Sequence, residues 1–383
     1  MNIVRSSAVL LSLLAIPATL MGQSEERPRL QIINASEDPL DIFWLKSETE
    51  RLPNGSVPAG KDTIFTTSLG HRFLMVGRED QKEATVTAKV KTQGFRFDPA
   101  GKDGIPPFYT RITHLRGFPI VGSANVNPYA LKEASYICDL MLAKRPDVLQ
   151  AMVDSGARLC IIAHNEFTTD LPEFSHMGDE PMHGFEKFSG KEYWDARARG
   201  TGGSPTDPFC TCAEENVLGY PGDPYEKECI LIHEFAHNIH LRGLMNVDPT
   251  FDPRLEETYK AAMKAGLWKG KYASVNRHEY FAEGVQSWFD NNRENDSDHN
   301  HVNTRAELLE YDPGLAALCR EVFGETEVKY TKPATRLTGH MEGYDPSKAP
   351  TFVWPERLNA VKQAIRDSAQ ARDKAANAAP PTK

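Results

Sequence analysis

One short segment constrains the fold of this chain of 383 residues more than any other. Residues 233–237 read His-Glu-Phe-Ala-His, and apolar residues surround them between Cys229 and Ile239. In a helix, residues four apart lie one turn apart on the same face, so both imidazoles can bind one ion. Polar groups in a buried helix need partners, because leaving them unpaired costs free energy. The pattern therefore predicts a buried helix that binds zinc; the alternative is a helix whose two histidines find partners within the protein.

A catalytic zinc site needs a third protein ligand and one open position. Glu279 and Glu283 lie one turn apart on a later helical segment with an apolar face. We expect Glu279 to bind the ion, and Glu283 to accept the N–H of a ligating histidine. His240 and His278 are the alternatives for the third ligand. His240 shares a helix with the first two histidines, and three ligands on one straight helix cannot surround an ion, while His278 projects about 100° from Glu279.

Glu234 lies inside the motif and is the candidate general base. Its side chain projects about 100° from that of His233 around the helix, so its carboxylate is expected beside the ion rather than on it. There it can take a proton from an attacking water molecule and pass it to a leaving amine. The residues alone thus indicate zinc-assisted hydrolysis.

The order and spacing of these residues resemble those of a known family. After the motif come Tyr272 and then Glu279-Tyr280-Phe281-Ala282-Glu283, with seven residues from the tyrosine to the first glutamate. This arrangement resembles the catalytic domain of anthrax lethal factor and its smaller relatives, the secreted Pro-Pro endopeptidases. The resemblance implies matching roles here: zinc ligands at His233, His237 and Glu279, a general base at Glu234, a phenol near the scissile carbonyl at Tyr272, and a supporting carboxylate at Glu283.

The segment from Arg29 to Phe97 consists of short β-branched or alternating runs separated by turns, which is typical of a small β-sandwich. Part of it resembles the β domain of the von Hippel–Lindau tumour suppressor, through Ile33-Asn34, Ile42-Phe43-Trp44, Val57-Pro58-Ala59-Gly60 and Leu69-Gly70-His71-Arg72-Phe73-Leu74. In that family the positions of Thr67, His71 and Phe73 border a hydroxyproline pocket. Here Thr67 and Phe73 replace a serine and a tryptophan, so the resemblance leaves peptide or surface recognition open.

These segments predict an α+β protein, in which a small N-terminal β-sandwich precedes a mainly helical zincin-like metallopeptidase domain. The expected divisions are a signal peptide at 1–22, a β domain at 29–98, a linker at 99–107, a lethal factor-like domain at 108–365 and a disordered or frayed tail at 366–383. Within the second domain the pattern predicts helices at 128–151, 225–241, 253–265, 276–289 and 304–323, the last with a break at Asp312-Pro313, and a strand at 158–163. Residues 167–220 are expected to form long loops, with a turn at the glycine cluster 200–203.

The N-terminus has the features of a secretory signal. Arg5 provides a positive charge, Ala8 to Leu20 is apolar, and Gly22 is a small residue before the expected cut. We therefore expect a secreted, periplasmic or extracellular protein. No apolar run long enough to span a membrane follows, so no stable insertion is expected after the signal is removed. The formal net charge of −9 disfavours a general nucleic-acid binder.

The six cysteines permit up to three disulfides, but some are equally explained as buried free thiols. Cys210-Thr211-Cys212 is better explained by a disulfide or a buried thiol than by a pair of metal ligands, because no second pair accompanies it. The acidic segment Asp290 to Asp298 lacks the spaced ligands and glycine of a calcium loop, and is expected to be solvated.

Taken together, the pattern predicts a secreted endopeptidase with one catalytic zinc ion and a protein or peptide substrate. The alternative is a catalytically inactive zincin-like protein that recognises peptides or surfaces. A purely structural zinc site is disfavoured, because it would need a fourth protein ligand.

Overall fold

The computed structural model describes residues 27–378, which form an α+β protein with an N-terminal β region and a mostly helical remainder. The predicted fold class is thereby confirmed. The predicted signal peptide and the end of the expected tail, residues 379–383, lie outside the described residues. Within the described part, no helix is long and apolar enough to cross a membrane.

The N-terminal β region is a sandwich of two sheets, with strand orders β4-β1-β7 and β3-β2-β5-β6. Its strands are β1 Arg29–Asn34, β2 Leu40–Leu45, β3 Arg51–Val57, β4 Asp62–Thr66, β5 Arg72–Gly77, β6 Glu83–Thr87 and β7 Thr92–Phe97. Alternate side chains point inwards, so that Leu30 and Ile32 of one sheet pack against Ile42 and Met75 of the other.

The remainder of the chain contains a five-stranded sheet with the order β11-β12-β10-β9-β8. Its strands are β8 Arg111–Leu115, β9 Phe118–Gly122, β10 Arg158–Ile162, β11 Gly200–Thr201 and β12 Phe209–Ala213. The prediction of long loops over residues 167–220 is wrong for β11 and β12, and also for two helices, Gly190–Arg197 and Glu214–Leu218. β12 is buried along its whole length, so it has no alternation of polar and apolar residues to indicate a strand.

Helices cover the sheet and form most of the second part. They are α1 Pro128–Met141, α2 Pro146–Asp154, α3 Gly190–Arg197, α4 Glu214–Leu218, α5 Ile230–Asn238, α6 Met245–Val247, α7 Phe251–Lys264, α8 Arg277–Trp288, α9 Arg305–Tyr311, α10 Pro313–Phe323 and α11 Asn359–Ala378. The helix predicted at 128–151 is divided in two, because Pro146 disfavours a helical conformation at Arg145 and starts α2. The backbone of α11 continues through Ala378, so the described part of the expected tail is helical.

Two helices, α5 and α8, carry the predicted site. α5 begins later than predicted, at Ile230, whose backbone N–H donates to the Asn216 side chain at 2.7 Å. It continues into a π-helical segment, Ile239–Leu244, a wider turn that is often found at functional sites. α8 begins at the N-cap Asn276, whose side-chain oxygen accepts the backbone N–H groups of His278 and Glu279.

The β region contacts the second part through β7. The backbone N–H of Gly94 donates to the carbonyl oxygen of Ser155 at 2.9 Å. A Cβ on Gly156 would lie 2.2 Å from the carbonyl oxygen of Gly94, so only glycine allows this approach. The segment expected to be a linker is also held in place, because the Arg158 side chain donates to the carbonyl oxygen of Gly104.

Candidate metal centre

Three side-chain atoms from α5 and α8 converge at one point. The Nε2 atoms of His233 and His237 lie 3.2 Å apart. One carboxylate oxygen of Glu279, Oε2, lies 3.0 Å from the first and 3.2 Å from the second. The three atoms therefore form a nearly equilateral triangle, as the spacing of the motif and the later glutamate predicted.

This triangle fits a zinc ion. Zinc bonds imidazole nitrogen and carboxylate oxygen at about 2.0–2.2 Å, which separates neighbouring tetrahedral ligand atoms by about 3.3 Å. The observed spacing of 3.0–3.2 Å is close to that value. A cation at the centre also explains why two imidazole nitrogens face each other in a buried place, where each needs a partner.

The charges of the group favour a cation too. Burial opposes a charge on His233, but the carboxylates of Glu279 and Glu283 outweigh it and raise the pKa of His233 well above its usual value. Burial would raise the pKa of Glu279, yet its contacts with His233 and His237 lower that pKa far below its usual range. The carboxylates therefore stay ionised and attract positive charge.

The face of His233 opposite the triangle is held by α8. His233 Nδ1 lies 2.8 Å from Gln286 Oε1 and 3.4 Å from Glu283 Oε1. The Gln286 amide in turn donates to Glu228 at 2.8 Å. The sequence predicted Glu283 as the acceptor and missed Gln286, although Gln286 follows Glu279 by two helical turns on the same face. Such a partner fixes the tautomer and orientation of a ligating histidine.

Glu234 lies beside the triangle, beneath the edge of the sheet. A Cβ on Gly200 of β11 would lie 3.1 Å from its carboxylate. Burial raises the pKa of Glu234 to about 6, while His233 and His237 act in the opposite direction. A carboxylate with a raised pKa next to three potential metal ligands is suited to accept a proton near neutral pH.

Tyr272 also lies near the triangle, in a 3-10 turn before α8. Its ring centroid is 6.1 Å from that of His233, and its backbone N–H donates to the carbonyl oxygen of Asp298. Burial, and then the charge of Glu279, raise the pKa of Tyr272 to about 12. The phenol therefore keeps its proton at neutral pH and can act as a hydrogen-bond donor.

The glycine cluster after β11 lies directly against α5. A Cβ on Gly202 would lie 2.5 Å from the His237 ring, and one on Gly203 would lie 2.5 Å from the Asn238 amide. Of the turn expected at 200–203, the first two residues therefore form β11, and the last two pack against the α5 side chains at the metal centre. Adjacent glycines after a strand indicate a close approach of the backbone to another element, and this signal could have predicted the contact with α5.

The two alternatives for the third ligand lie elsewhere. His240 and His278 form a separate group with Asp252, and His240 Nε2 is 3.0 Å from Asp252 Oδ1. Burial lowers the pKa of His240, and it lowers that of His278 to about 4. Neither residue belongs to the triangle, which Glu279 completes.

The cysteines and the β region supply no further ligand to this centre. All six cysteines lie within the described residues, and each is a buried free thiol, so none of the permitted disulfides forms. In the β region, Thr67 and Phe73 are buried. His71 is hydrogen-bonded to Thr67 at 3.2 Å and its ring lies 4.9 Å from that of Trp44. These contacts give His71 a structural role within the sandwich.

The chain is thus an α+β protein in which two histidines of an HExxH helix and a glutamate of a later helix lie together as potential metal ligands. No model of a known protein family matches the chain. A search of curated proteins also finds no match.

Proposed function

We propose that this protein is a secreted zinc-dependent endopeptidase with a catalytic domain like that of anthrax lethal factor and the Pro-Pro endopeptidases. His233, His237 and Glu279 hold one zinc ion, and Glu283 supports them. The triangle of ligand atoms carries the proposal, because its edges of 3.0–3.2 Å match the spacing that zinc requires.

The chain's own residues supply the proton transfers. When bound, zinc polarises a peptide carbonyl group and makes water a stronger nucleophile at neutral pH. Glu234 takes one proton as the water oxygen bonds to the carbonyl carbon, and returns it to the amide nitrogen as the C–N bond breaks. Tyr272 donates a hydrogen bond to the carbonyl oxygen as it gains negative charge, a contribution of about 3 kcal/mol.

The edge of the sheet supports the binding of an extended substrate. β11 is the terminal strand of the five-stranded sheet as described, and it pairs with β12 on one side. An extended peptide can pair with its other side, next to Glu234. Gly200 and Gly202 have no side chains, which lets this edge of the sheet lie directly against Glu234 and His237.

The β region is part of the same proposal. Its resemblance to the von Hippel–Lindau β domain favours a peptide or surface as its ligand. Leu69 precedes Gly70 and His71 in a turn, and 53% of its surface is exposed, more than that of most apolar residues here. A Leu69→Glu substitution should weaken cleavage of long substrates and leave that of short peptides unchanged.

Cleavage of a peptide library by the chain without residues 1–22 tests the proposed activity. We expect cleavage that a chelator abolishes and added zinc restores. The matched variant is Glu234→Gln, which keeps the shape of the side chain but not its basicity. It should retain one zinc ion per chain and lose turnover by at least about a hundredfold. Full activity in this variant would refute the role of Glu234.

A second pair of variants tests the ligand set. Glu279→Ala should lose zinc, as measured by mass spectrometry, whereas the exposed control Glu294→Ala should not. A wild-type protein that binds zinc tightly but cleaves no peptide would instead favour the inactive zincin-like binding protein.

A further inference from the structure

A second group of potential metal ligands lies outside the proposed catalytic centre. His240 lies in the π-helical segment after α5, Asp252 at the start of α7 and His278 at the start of α8. One ligand atom from each lies within 4.8 Å of the other two. The proposed peptidase mechanism uses none of these residues, so their grouping needs its own explanation.

The two imidazoles of this group are incompletely paired. His240 is fully buried, and its Nε2 is 3.0 Å from Asp252 Oδ1. Its Nδ1, and the buried Nε2 of His278, have no hydrogen-bond partner among residues 27–378. The two rings lie 5.3 Å apart, nearly perpendicular. A buried imidazole nitrogen without a partner costs free energy, and a cation that accepts the lone pair of His278 Nε2, with His240 binding it through Nε2 beside Asp252, removes that cost for His278.

We propose that His240, Asp252 and His278 bind a second divalent cation of the zinc type. Two imidazoles and one carboxylate suit zinc, nickel or copper, whereas magnesium and calcium prefer oxygen ligands alone. The ligand atoms of a tetrahedral zinc site lie about 3.3 Å apart, so the group must close slightly around the ion. The half-buried His278 side chain, at the end of its helix, can make that adjustment by rotation.

Arg277 limits the affinity of this second site. Its guanidinium donates to both carboxylate oxygens of Asp252, at 2.8 and 3.1 Å. A fixed positive charge beside the site repels a divalent cation. The second site is therefore weaker than the first and fills at higher free zinc.

Zinc titration into the metal-free chain tests the proposal, with bound metal measured by mass spectrometry and affinity by calorimetry. We expect two ions per chain, one tight and one weak. His278→Gln should remove the weak ion and leave the tight one, while the exposed control His183→Gln should leave both. Magnesium should not compete at either site.

Arg277→Gln provides the opposite test. Without the positive charge, the weak site should bind zinc at least about tenfold more tightly. The control Arg254→Gln removes an arginine from the neighbouring α7 that pairs with Asp248 and Glu321, and should leave the weak site unchanged. Because Arg277→Gln predicts a gain of affinity, a misfolded variant cannot mimic the expected result.

The outcomes separate this proposal from the proposed peptidase function. Glu279→Ala should lose the tight ion and keep the weak one. A single zinc ion in the wild-type chain, with the same stoichiometry in His278→Gln, would overturn the second site. Unchanged weak-site affinity in a folded Arg277→Gln variant, judged by its melting temperature, would also overturn it.

Discussion

The side-chain amide of Gln31 donates a hydrogen bond to the backbone carbonyl oxygen of Thr206 at 2.8 Å. This contact joins the first strand of the β region to the loop that follows β11. The same loop contacts α5, because the Asn238 amide donates to the carbonyl oxygen of Pro208 at 3.1 Å. The β region thus helps to hold a loop that lies against the candidate metal centre, whatever ligand it binds itself.

Replacing Gln31 with leucine should loosen this loop. The variant loses hydrogen bonds to Thr206 and to Asp62, and each lost bond costs about 1 kcal/mol. We expect a lower melting temperature and a several-fold lower kcat/KM for peptide cleavage. The matched control is Gln81→Leu, which loses two hydrogen bonds within the β region alone. Equal effects of both variants on kcat/KM would contradict the proposed link.

Adding one methyl group to the loop should disturb the centre directly. In Gly202→Ala the new Cβ would lie 2.5 Å from the His237 ring, so either the ring or the loop must move. We expect weaker zinc binding, measured by competition with a chromogenic chelator. Gly178→Ala is the control, because its Cβ would meet Lys191 at an ordinary distance of 3.4 Å. Wild-type zinc affinity in Gly202→Ala would show that the loop does not constrain His237.

The Gln286 side chain should matter for metal affinity although it cannot reach the ion. Gln286→Leu removes the acceptor at 2.8 Å from His233 Nδ1, and loss of such a partner typically costs about 10- to 100-fold in metal affinity. Ser287→Ala, at the neighbouring position of α8, breaks hydrogen bonds to backbone carbonyl groups instead. It should leave zinc affinity unchanged. If only Ser287→Ala weakens zinc binding, the role given to Gln286 is wrong.

Asp207, in the same loop, should make stability depend on pH. Burial raises its pKa to about 6, above the usual value of an unfolded aspartate, although the charge of Arg242 acts in the opposite direction. Folding therefore favours the protonated form, so its stabilising contribution is complete below about pH 4 and is lost as the pH rises through 6. At pH 8 the ionised side chain should cost at most about 3 kcal/mol.

Asp207→Asn tests this pH dependence, because asparagine keeps the acceptor for the Phe209 N–H without the charge. Urea unfolding should find the variant more stable than the wild type at pH 8 and similar to it at pH 4. A difference in the free energy of unfolding that is the same at both pH values would exclude titration of Asp207 as the cause.

Local sequence patterns predicted the elements of the site well. The apolar residues around 233–237 indicated the buried helix, and the turn spacing of Glu279 and Glu283 placed both on one face of α8. Asn276, a typical N-cap residue, precedes α8 at the position where the predicted helix begins. Within one helix, the fixed rise and rotation per residue determine which side chains share a face.

Patterns failed where burial or long-range contacts replaced local preference. β12 lies inside the sheet and is buried on both faces, so its residues show no period of two. Nothing in the sequence around Gln286 indicates its role, because its contact with His233 arises only from the packing of α8 against α5. His240 and His278 were reasonable alternatives for the third ligand, because no local rule states which residues of different helices will meet.

Periodicity along the chain specified the helix that carries the two histidines, the glutamate face of α8 and the alternating strands of the β region. The packing of the elements established which of these residues meet: Glu279 completes the triangle, the glycines after β11 lie against His237, and His240 and His278 group with Asp252. The reason is physical: helical and strand periodicity act over a few residues, whereas contacts between elements depend on how whole faces pack together.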